Sequence, residues 1–530
     1  MKALRLLGLA VALLAPLIAS PTGAYADDPL TVPTTAGLVH GLTVGSVDEW
    51  RGLPYAAPPV GQLRWRPPAP VTPWPDVRAA TGFRSECAQP SFDGSPVGSE
   101  DCLYLNVFTP TATLTDARLP VMVHLHGGSN SVFHPYTNAD AFAARGVIVV
   151  TLAYRLGAFG FVGHPALSAE GGGSSGEYGV LDQIAALHWV RDNIQAFGGD
   201  PGNVTLFGES AGSFDAVAIA ASPLGAGLFT RLAAQTESFW AGRGHDTIAD
   251  AEQYGQELAD AVGCSGASDV AACLRALPAD TLVAALGFID VAPWVGGAVL
   301  PASPLELIAA QPRRVPMLLG SNREEAVGFL PVLDQDNYRY ADWVRDAGAL
   351  VGPTRGAELG KLYPVKSYDS AFWSATAMFS DAIYTCPMRR LALTAPGPVY
   401  RYLFTHRYDN SPYLALGRAA HFFDEPLLWH DAGLFAGLDY TFSPREEALS
   451  SLMTDYWTNF AKTGNPNGAG LPQWQTYTAA TERITVLDDP PASTAFYHRD
   501  ECRFLDAVPD LFAPPRYVTP RWMAPGTSAA

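Results

Sequence analysis

Short apolar runs recur along the chain and alternate with segments of helical character. Runs of apolar, β-type residues predict strands at Val121–His124, Val147–Tyr154, Val204–Phe207, Met317–Leu319 and Val399–Phe404. Apolar positions from Val180 to Phe197 recur at helical spacing and predict a helix with a broad apolar face. Strands that alternate with helices predict an α/β fold, in which a mostly parallel sheet carries helices on both faces. Since no internal repeat or long linker interrupts the pattern, we expect one large domain with excursions inserted between strands.

The most informative segment joins one of these strands to a helix. Residues 208–212 read Gly-Glu-Ser-Ala-Gly, directly after the run Val204–Phe207 and before a helix-compatible stretch at Phe214–Ala221. A G-x-S-x-G sequence in this context is typical of a nucleophile elbow, whose strained turn exposes the serine at the carboxyl edge of the sheet. Glycines suit the flanking positions because side chains there would collide with the neighbouring strand and helix. The sequence therefore predicts Ser210 as a nucleophile.

A serine hydroxyl is a poor nucleophile unless a base takes its proton, so a histidine is expected nearby. The histidines downstream of the elbow are His245, His406, His421, His430 and His498. His421 is favoured because it lies on a small-residue loop after a predicted strand, where a catalytic base belongs. His406 closes a strand and fits an ordinary surface position, and His430 fits a helix surface.

The base needs a carboxylate to orient it. In the fold class that carries this type of elbow, the chain order is Ser, then Asp or Glu, then His. Glu324 and Glu325 follow the strand Met317–Leu319, and catalytic groups gather at the carboxyl ends of parallel strands. Local sequence does not separate the two glutamates, and both also fit as caps of a following helix.

Residues 121–130 predict a strand that ends in a glycine pair, an arrangement typical of a loop that presents backbone N–H groups to an oxyanion. These groups would join the N–H of Ala211, the residue after the nucleophile. His124 and His126 share one strand face and could form a metal pair, but no further cluster of ligands accompanies them. We therefore expect no metal site here.

The amino terminus has the pattern of a secretory signal peptide. Lys2 and Arg5 precede an apolar run at Leu6–Ile18, and small residues then lead to an A-x-A site at 24–26. We predict that residues 1–26 are removed and that the protein is secreted, since the run is too short for a membrane anchor. Residues 27–512 would then form the domain, and the Pro-rich residues 513–530 a poorly ordered tail.

The net charge excludes some partners. It is −18 for the whole chain, and loss of Lys2 and Arg5 with the signal peptide makes it −20. This balance argues against nucleic acid and anionic membranes as partners and favours a dispersed protein, for which a monomer is expected.

Six cysteines in an exported protein predict three disulfides, for which 15 pairings are possible. Cys87 lies near Cys102 in sequence, and Cys264 lies near Cys273. The distribution therefore favours these two pairs and a third between Cys386 and Cys502, which would close a long loop.

Longer motifs give the chain a family resemblance. They are R-G-L-P-Y-A-A-P-P-V-G at 51–61, E-D-C-L-Y-L-N-V at 100–107, Y-R-L-G at 154–157, Y-G-V-L-D-Q at 178–183 and F-G-G-D-P at 197–201. Together with the elbow, they resemble the type B carboxylesterases, a family that includes cholinesterases, fungal lipases and bacterial nitrobenzyl esterases. The resemblance covers almost the whole predicted domain. It implies the α/β-hydrolase fold and a serine carboxylesterase that acts on a small-molecule ester without a cofactor.

The resemblance also implies roles for individual residues. Ser210 matches the nucleophile, His421 the base, and Glu325, rather than Glu324, the acid. Glu209 matches a carboxylate that flanks the nucleophile. The oxyanion N–H donors of the family match Gly128, Ser129 and Ala211. Two structural ion pairs match Arg64 with Glu100 and Arg155 with Asp182. A supporting hydroxyl matches Thr236. The cysteines match the family's disulfides as paired above.

Two tryptophans and one loop bear on the substrate. Trp240 and Trp294 lie in segments that border the acyl side in the family, where they either shape the pocket or serve as core aromatics. The loop between Cys87 and Cys102 is short and polar, and its one aromatic residue is Phe92. It has neither the tryptophan that binds quaternary ammonium groups in resembling cholinesterases nor the long lid of resembling fungal lipases.

The expected activity is therefore hydrolysis of soluble short- to medium-chain esters. The alternative is a lipase or polyester hydrolase with the same three catalytic residues. A non-catalytic adhesion relative is disfavoured because Ser210 and His421 are both present.

Overall fold

The computed structural model describes residues 28–91, 93–236, 247–289, 291–328, 337–411, 414, 417–435 and 438–508. The signal peptide predicted at 1–26, the tail predicted at 513–530 and the pocket candidate Trp240 lie outside these residues. His245 and Phe92 also lie outside them.

Within the described residues, the strands run in chain order as follows: β1 Thr31–Thr34, β2 Gly37–His40, β3 Leu42–Val44, β4 Val47–Pro54, β5 Arg78–Ala79, β6 Gln89–Pro90, β7 Pro96–Val97, β8 Tyr104–Pro110, β9 Leu119–Leu125, β10 Ile148–Leu152, β11 Gly199–Glu209, β12 Arg231–Gln235, β13 Met317–Asn322, β14 Val399–Phe404, β15 Arg483–Leu487 and β16 Ala492–Ala495. Eleven of them form one large sheet in the order β16-β15-β14-β13-β12-β11-β9-β10-β8-β4-β3. The seven strands from β15 to β10 in this order are parallel, and antiparallel strands flank them on both sides. The α/β class predicted from the sequence is confirmed.

Both faces of the central parallel strands are buried, which explains why these strands read as continuous apolar runs. Along β9, Val121 and Val123 contribute to one large apolar cluster and Met122 to another. Because side chains alternate along a strand, the two clusters lie on opposite faces.

Helices cover both faces. The described α-helices are Asp140–Ala143, Gly157–Gly160, Pro165–Glu170, Tyr178–Asn193, Ala211–Ala221, Ile248–Ala261, Val270–Ala276, Ala279–Leu286, Pro304–Ala309, Tyr340–Val351, Pro353–Leu362, Ala371–Ser380, Cys386–Thr394, Glu425–Trp429, Pro444–Thr463 and Arg499–Asp506. Shorter 3₁₀ turns lie at Gly61–Leu63, Ile194–Phe197, Pro223–Gly225, Glu325–Gly328, Val365–Ser367 and Ala432–Leu434. One π turn, Asp381–Thr385, joins two of the α-helices. The helix predicted from Val180 to Phe197 is thus an α-helix that tightens into a 3₁₀ turn.

Local signals set several of these boundaries. Gly198, with φ of 85°, ends the 3₁₀ turn Ile194–Phe197 and allows the chain to reverse into β11. The helix Pro444–Thr463 begins with a capping box between Ser443 and Glu446. It ends at Gly464, which has φ of 79°.

Covalent and ionic links join loops and helices outside the sheet to one another. Disulfides join Cys87 to Cys102, Cys264 to Cys273 and Cys386 to Cys502, the pairs that the sequence distribution favours. Arg64 bonds Glu100 at 2.5 Å in a half-buried pair, and Arg155 bonds Asp182 at 2.7 Å in a buried pair; both fit the structural role expected of them. Among the described residues, no helix combines the length and the apolar character that a membrane crossing requires.

Candidate active site

Ser210 occupies a strained turn at the carboxyl end of β11. Its φ of 53° and ψ of −127° are rare for a residue with a side chain, and the helix Ala211–Ala221 begins at the next residue. A Cβ atom on Gly208 would lie 2.6 Å from the carbonyl carbon of Gly212. One on Gly212 would lie 2.0 Å from the Leu125 carbonyl oxygen. The elbow therefore closes only with glycine on both sides of the serine.

His421 and Glu325 complete a continuous set of hydrogen bonds with this serine. The Nε2 atom of His421 lies 2.8 Å from the Ser210 hydroxyl oxygen. Its Nδ1 atom lies 2.6 Å from Oε2 of Glu325. The other Glu325 oxygen accepts the backbone N–H of Asn322 at 2.5 Å, which fixes the carboxylate below the ring. This arrangement can take a proton from the hydroxyl and stabilise the resulting imidazolium.

The two adjacent glutamates face different groups. Glu325 is fully buried and points at His421. Glu324 instead accepts a bond from the Arg323 guanidinium at 2.8 Å and one from the backbone N–H of Ala419 at 3.2 Å. Glu324 thus braces the loop that carries the histidine but does not reach its ring.

Glu209 places a second carboxylate beside the imidazole. Its Oε1 atom lies 3.3 Å from His421 Nε2 and accepts the Thr236 hydroxyl at 3.1 Å. Burial raises the pKa of Glu209 to about 8, although His421 opposes the shift. Burial by itself would lower the pKa of His421, but Glu209 and Glu325 outweigh it and raise that pKa to about 9. The histidine and the two carboxylates therefore share protons as one coupled group.

A loop at the end of β9 approaches the serine with bare backbone. A Cβ atom on Gly127 would lie 3.0 Å from the Ser210 Cβ atom, so the loop abuts Ser210. Gly128 and Ser129 have φ of 99° and 54°. Within the part of the chain that the structure describes, their N–H groups donate no hydrogen bond, which leaves them free to bind an oxyanion.

Buried polar side chains hold this loop. Asn130 donates to the Asp215 carboxylate at 3.0 Å and accepts the Tyr154 hydroxyl at 3.1 Å. Gln183 donates to the other Asp215 oxygen at 2.5 Å. Burial raises the pKa of Asp215 to about 7, against the hydrogen bonds from Gln183 and Asn130.

Comparison with known proteins agrees with this geometry. Residues 28–505 match the family model described as the Carboxylesterase family. The para-nitrobenzyl esterase of Bacillus subtilis (strain 168) is 34% identical over 484 residues, which cover 86% of this chain and 94% of the relative. The chain belongs to the carboxylesterase family.

Further relatives and solved structures extend this result. The fumonisin B1 esterase of Sphingopyxis macrogoltabida is 32% identical and covers 88% of each chain. A PNB esterase structure has a TM-score of 0.77 at 33% identity and covers 90% of this chain and 100% of its own. A Geobacillus stearothermophilus carboxylesterase has a TM-score of 0.78 at 30% identity with the same coverage. The resemblance and the α/β-hydrolase fold inferred from the sequence are confirmed, and the protein is a carboxylic ester hydrolase.

Three residues that were not predicted from the sequence, Gln235, Asn322 and Asp424, cross-link the loops around Ser210 and His421. Gln235 accepts the Ser210 N–H on its carbonyl at 3.1 Å and donates from its side chain to Asp424 at 3.1 Å. Asn322 donates to the same Asp424 at 3.0 Å and to the Ala420 carbonyl at 2.7 Å. Their closeness in sequence to Thr236, Glu325 and His421 was a signal, but the cross-links form only when strands β12 and β13 pair.

Other candidates lie elsewhere. Trp294 is buried in the core and donates to the Phe161 carbonyl at 2.8 Å, so its role in a pocket stays a prediction. The surface position expected for His406 is wrong: the ring is buried between Asp488 and Glu446, whose carboxylates offset its desolvation. His430 caps a helix at an exposed position, close to its expected place.

The candidate metal pair on β9 is packed among aromatic rings. The His124 ring lies 4.8 Å from those of Tyr136 and Phe207, and the His126 ring lies 4.5 Å from that of Tyr154. Among the residues described by the structure, no group of three or more His, Cys, Asp and Glu side chains could hold a metal ion.

Proposed function

We propose that the esterase works through a covalent acyl-enzyme on Ser210, with His421 as general base and Glu325 as the acid that orients it. One observation carries the proposal: an unbroken pair of contacts, 2.8 Å from the Ser210 hydroxyl to His421 and 2.6 Å from His421 to Glu325. The serine attacks the ester carbonyl while His421 takes its proton. His421 then gives that proton to the leaving alcohol, and water repeats the two steps on the acyl-enzyme.

Backbone N–H groups stabilise the charge that develops on the carbonyl oxygen. We assign this role to Gly128, Ser129 and Ala211, since the first two have unbonded N–H groups and the third begins the helix after the nucleophile. Each such donor contributes about 3–4 kcal/mol of transition-state stabilisation.

Burst kinetics test this mechanism. An excess of p-nitrophenyl acetate should release one equivalent of nitrophenol rapidly per active site, followed by slower turnover, if deacylation is the slower step. Ser210→Ala should show no burst and only the residual rate that oxyanion donors can support. A burst that persists in Ser210→Ala would overturn the assignment of the nucleophile.

We propose soluble short- to medium-chain esters as substrates. The loop between Cys87 and Cys102 forms only a short hairpin of β6 and β7, which supports a site that is open in water. Relatives named para-nitrobenzyl esterase and fumonisin B1 esterase support a small-molecule ester. A lipase remains the second candidate because its catalytic residues would be the same.

A chain-length series of p-nitrophenyl esters, with emulsified triglyceride as a comparison, separates the two. We expect ordinary saturation and no rise in rate at the solubility limit. A rate rise confined to emulsions would favour the lipase. Butyrylcholine should have no advantage over butyl butyrate, because the hairpin offers no tryptophan platform for the cation.

We also propose that the esterase is secreted after cleavage following Ala26. The charged start, apolar run and A-x-A site support this, as do three disulfides, which persist in oxidising compartments. Amino-terminal sequencing of the protein from culture medium should begin at Asp27. Retention of the full chain inside the cell would contradict the proposal.

A further inference from the structure

A π turn lies beside the catalytic histidine. The N–H of Cys386 reaches back to the carbonyl of Asp381, five residues earlier, which widens the chain over Asp381–Thr385. Pro387 follows directly and cannot donate to the carbonyl of Ile383, so a regular α-helix would lose a bond and suffer a clash here. π turns are rare and concentrate at functional sites, which directs attention to what this one contacts.

The turn touches both the base and the acid. The buried Tyr384 ring lies 5.2 Å from the His421 ring, with 40° between their planes. Ser380, immediately before the turn, accepts the backbone N–H of Ala326 at 3.0 Å. Ala326 directly follows Glu325, so one segment packs on the imidazole and bonds the loop of its carboxylate.

Two links anchor the turn to the carboxyl-terminal helix Arg499–Asp506. Asp381 is 1% exposed and lies 2.5 Å from Nδ1 of His498, the N-cap residue of this helix. The Tyr363 hydroxyl donates to the same Asp381 oxygen at 2.7 Å. One turn of helix further on, the disulfide Cys386–Cys502 joins the end of the π turn to the same helix.

We propose that the π turn is a positioning element for catalysis: Tyr384 fixes the plane of the His421 ring, and Ser380 fixes the loop of Glu325. Docking of the helix Arg499–Asp506 through His498 and Cys502 holds the turn in place. The proposal rests on the catalytic roles proposed above for His421 and Glu325. It predicts that kcat depends on residues that act through His421 and Glu325.

The test measures kcat and KM per active site, after titration with an organophosphate ester, for Tyr384→Leu and Tyr384→Phe. Loss of the ring should let the imidazole tilt, and misplacement of a catalytic group by about 1 Å costs on the order of 100-fold in rate. We expect Tyr384→Leu to lower kcat by about 10- to 100-fold with KM changed less than about twofold. Tyr384→Phe keeps the ring and should stay within about twofold of wild type.

A matched pair of disulfide variants tests the anchoring. Cys386→Ala/Cys502→Ala and Cys264→Ala/Cys273→Ala each remove one cross-link, but only the first adjoins the π turn. The first should lower kcat per titrated site, and the second should lower only thermal stability. Asp381→Asn should also lower kcat, and its effect should be less than additive with that of Tyr384→Leu.

Wild-type kcat in Tyr384→Leu, or equal loss of kcat in both disulfide variants, would overturn the proposal. If Cys386→Ala/Cys502→Ala does not fold, the comparison of Tyr384→Leu with Tyr384→Phe still tests the proposal. If only the role of the π turn is wrong, the organophosphate still labels Ser210 at the wild-type rate in these variants. If the catalytic assignment itself is wrong, the label lies on another residue.

Discussion

Two histidines in this esterase, the half-buried His421 and the fully buried His406, each lie between two carboxylates. His421 lies between Glu325 and Glu209, and His406 lies between Glu446 and Asp488. Burial by itself would lower the pKa of each imidazole. In both cases the flanking carboxylates outweigh burial and raise the pKa to about 9.

The two sites differ in the other groups that lie within hydrogen-bond distance. At His406, Glu446 accepts the Tyr440 hydroxyl at 2.6 Å and the Asp409 N–H at 2.8 Å, and it caps a helix. The polar groups of that cluster bond to one another. The Nε2 atom of His421 instead faces the hydroxyl of a strained serine. A shifted pKa therefore does not by itself mark a catalytic base; a nucleophile within hydrogen-bond distance does.

Replacing each histidine with glutamine gives the sharpest contrast. His421→Gln should lower kcat on the order of 10⁴–10⁶-fold, because removal of one member of such a triad removes most of its effect. His406→Gln should change kcat less than about threefold, since its cluster touches no reacting group. Steady-state kinetics on a p-nitrophenyl ester measure both. Similar losses in the two variants would erase the distinction.

The adjacent glutamates Glu324 and Glu325 provide a second comparison between a residue that bonds His421 and one that does not. Glu325→Gln should lower kcat on the order of 10²–10⁴-fold, because the amide no longer holds and stabilises a charged imidazole. Glu324→Gln keeps a group that can accept the Ala419 N–H and should stay within about fivefold of wild type. The reverse ranking would show that the wrong glutamate has been paired with His421.

The second carboxylate predicts a shift in pH dependence. Glu209 lies 3.3 Å from His421 Nε2 and raises the pKa of the imidazole. Glu209→Gln removes that influence, so the acid limb of kcat/KM should move to lower pH by roughly one unit. The measurement is a pH–rate profile of wild type and variant. An acid limb that stays in place or moves to higher pH would contradict the coupling of the two groups.

The His406 cluster should affect stability and leave turnover almost unchanged. Its pKa of about 9 in the folded state lies above the ordinary value of 6.5. Its stabilisation is therefore complete below about pH 6.5 and is lost as the pH rises through 9. Between pH 7 and pH 10, the urea midpoint of wild type should fall more than that of His406→Gln. Equal falls would show that His406 is not protonated in the folded protein.

Much of the site was predictable because its signals are local. The elbow sequence, its glycines and the strand before it predict Ser210 as the nucleophile, and the strand predicted at Val399–Phe404 has the observed bounds. The strand β12 was missed because Arg231–Gln235 is short and contains no β-branched residue. Its Gln235 consequently went unnoticed as a support of the nucleophile.

Contacts between distant segments were not predictable. Local sequence left Glu324 and Glu325 equivalent, and the choice of Glu325 came from family resemblance alone. The direction of each carboxylate is set by how the turn after β13 packs on the loop of His421. Burial of His406 likewise depends on Glu446 and Asp488, which lie 40 and 82 residues away in sequence.

We propose that Ser210 is the nucleophile and that His421, not His406, activates it. The most direct test is to treat wild type, His406→Gln and His421→Gln with an organophosphate ester and to map the modified peptide by mass spectrometry over time. We expect a single label on Ser210, formed at the same rate in wild type and His406→Gln and far more slowly in His421→Gln. A label on another residue, or equal labelling rates in all three proteins, would contradict it.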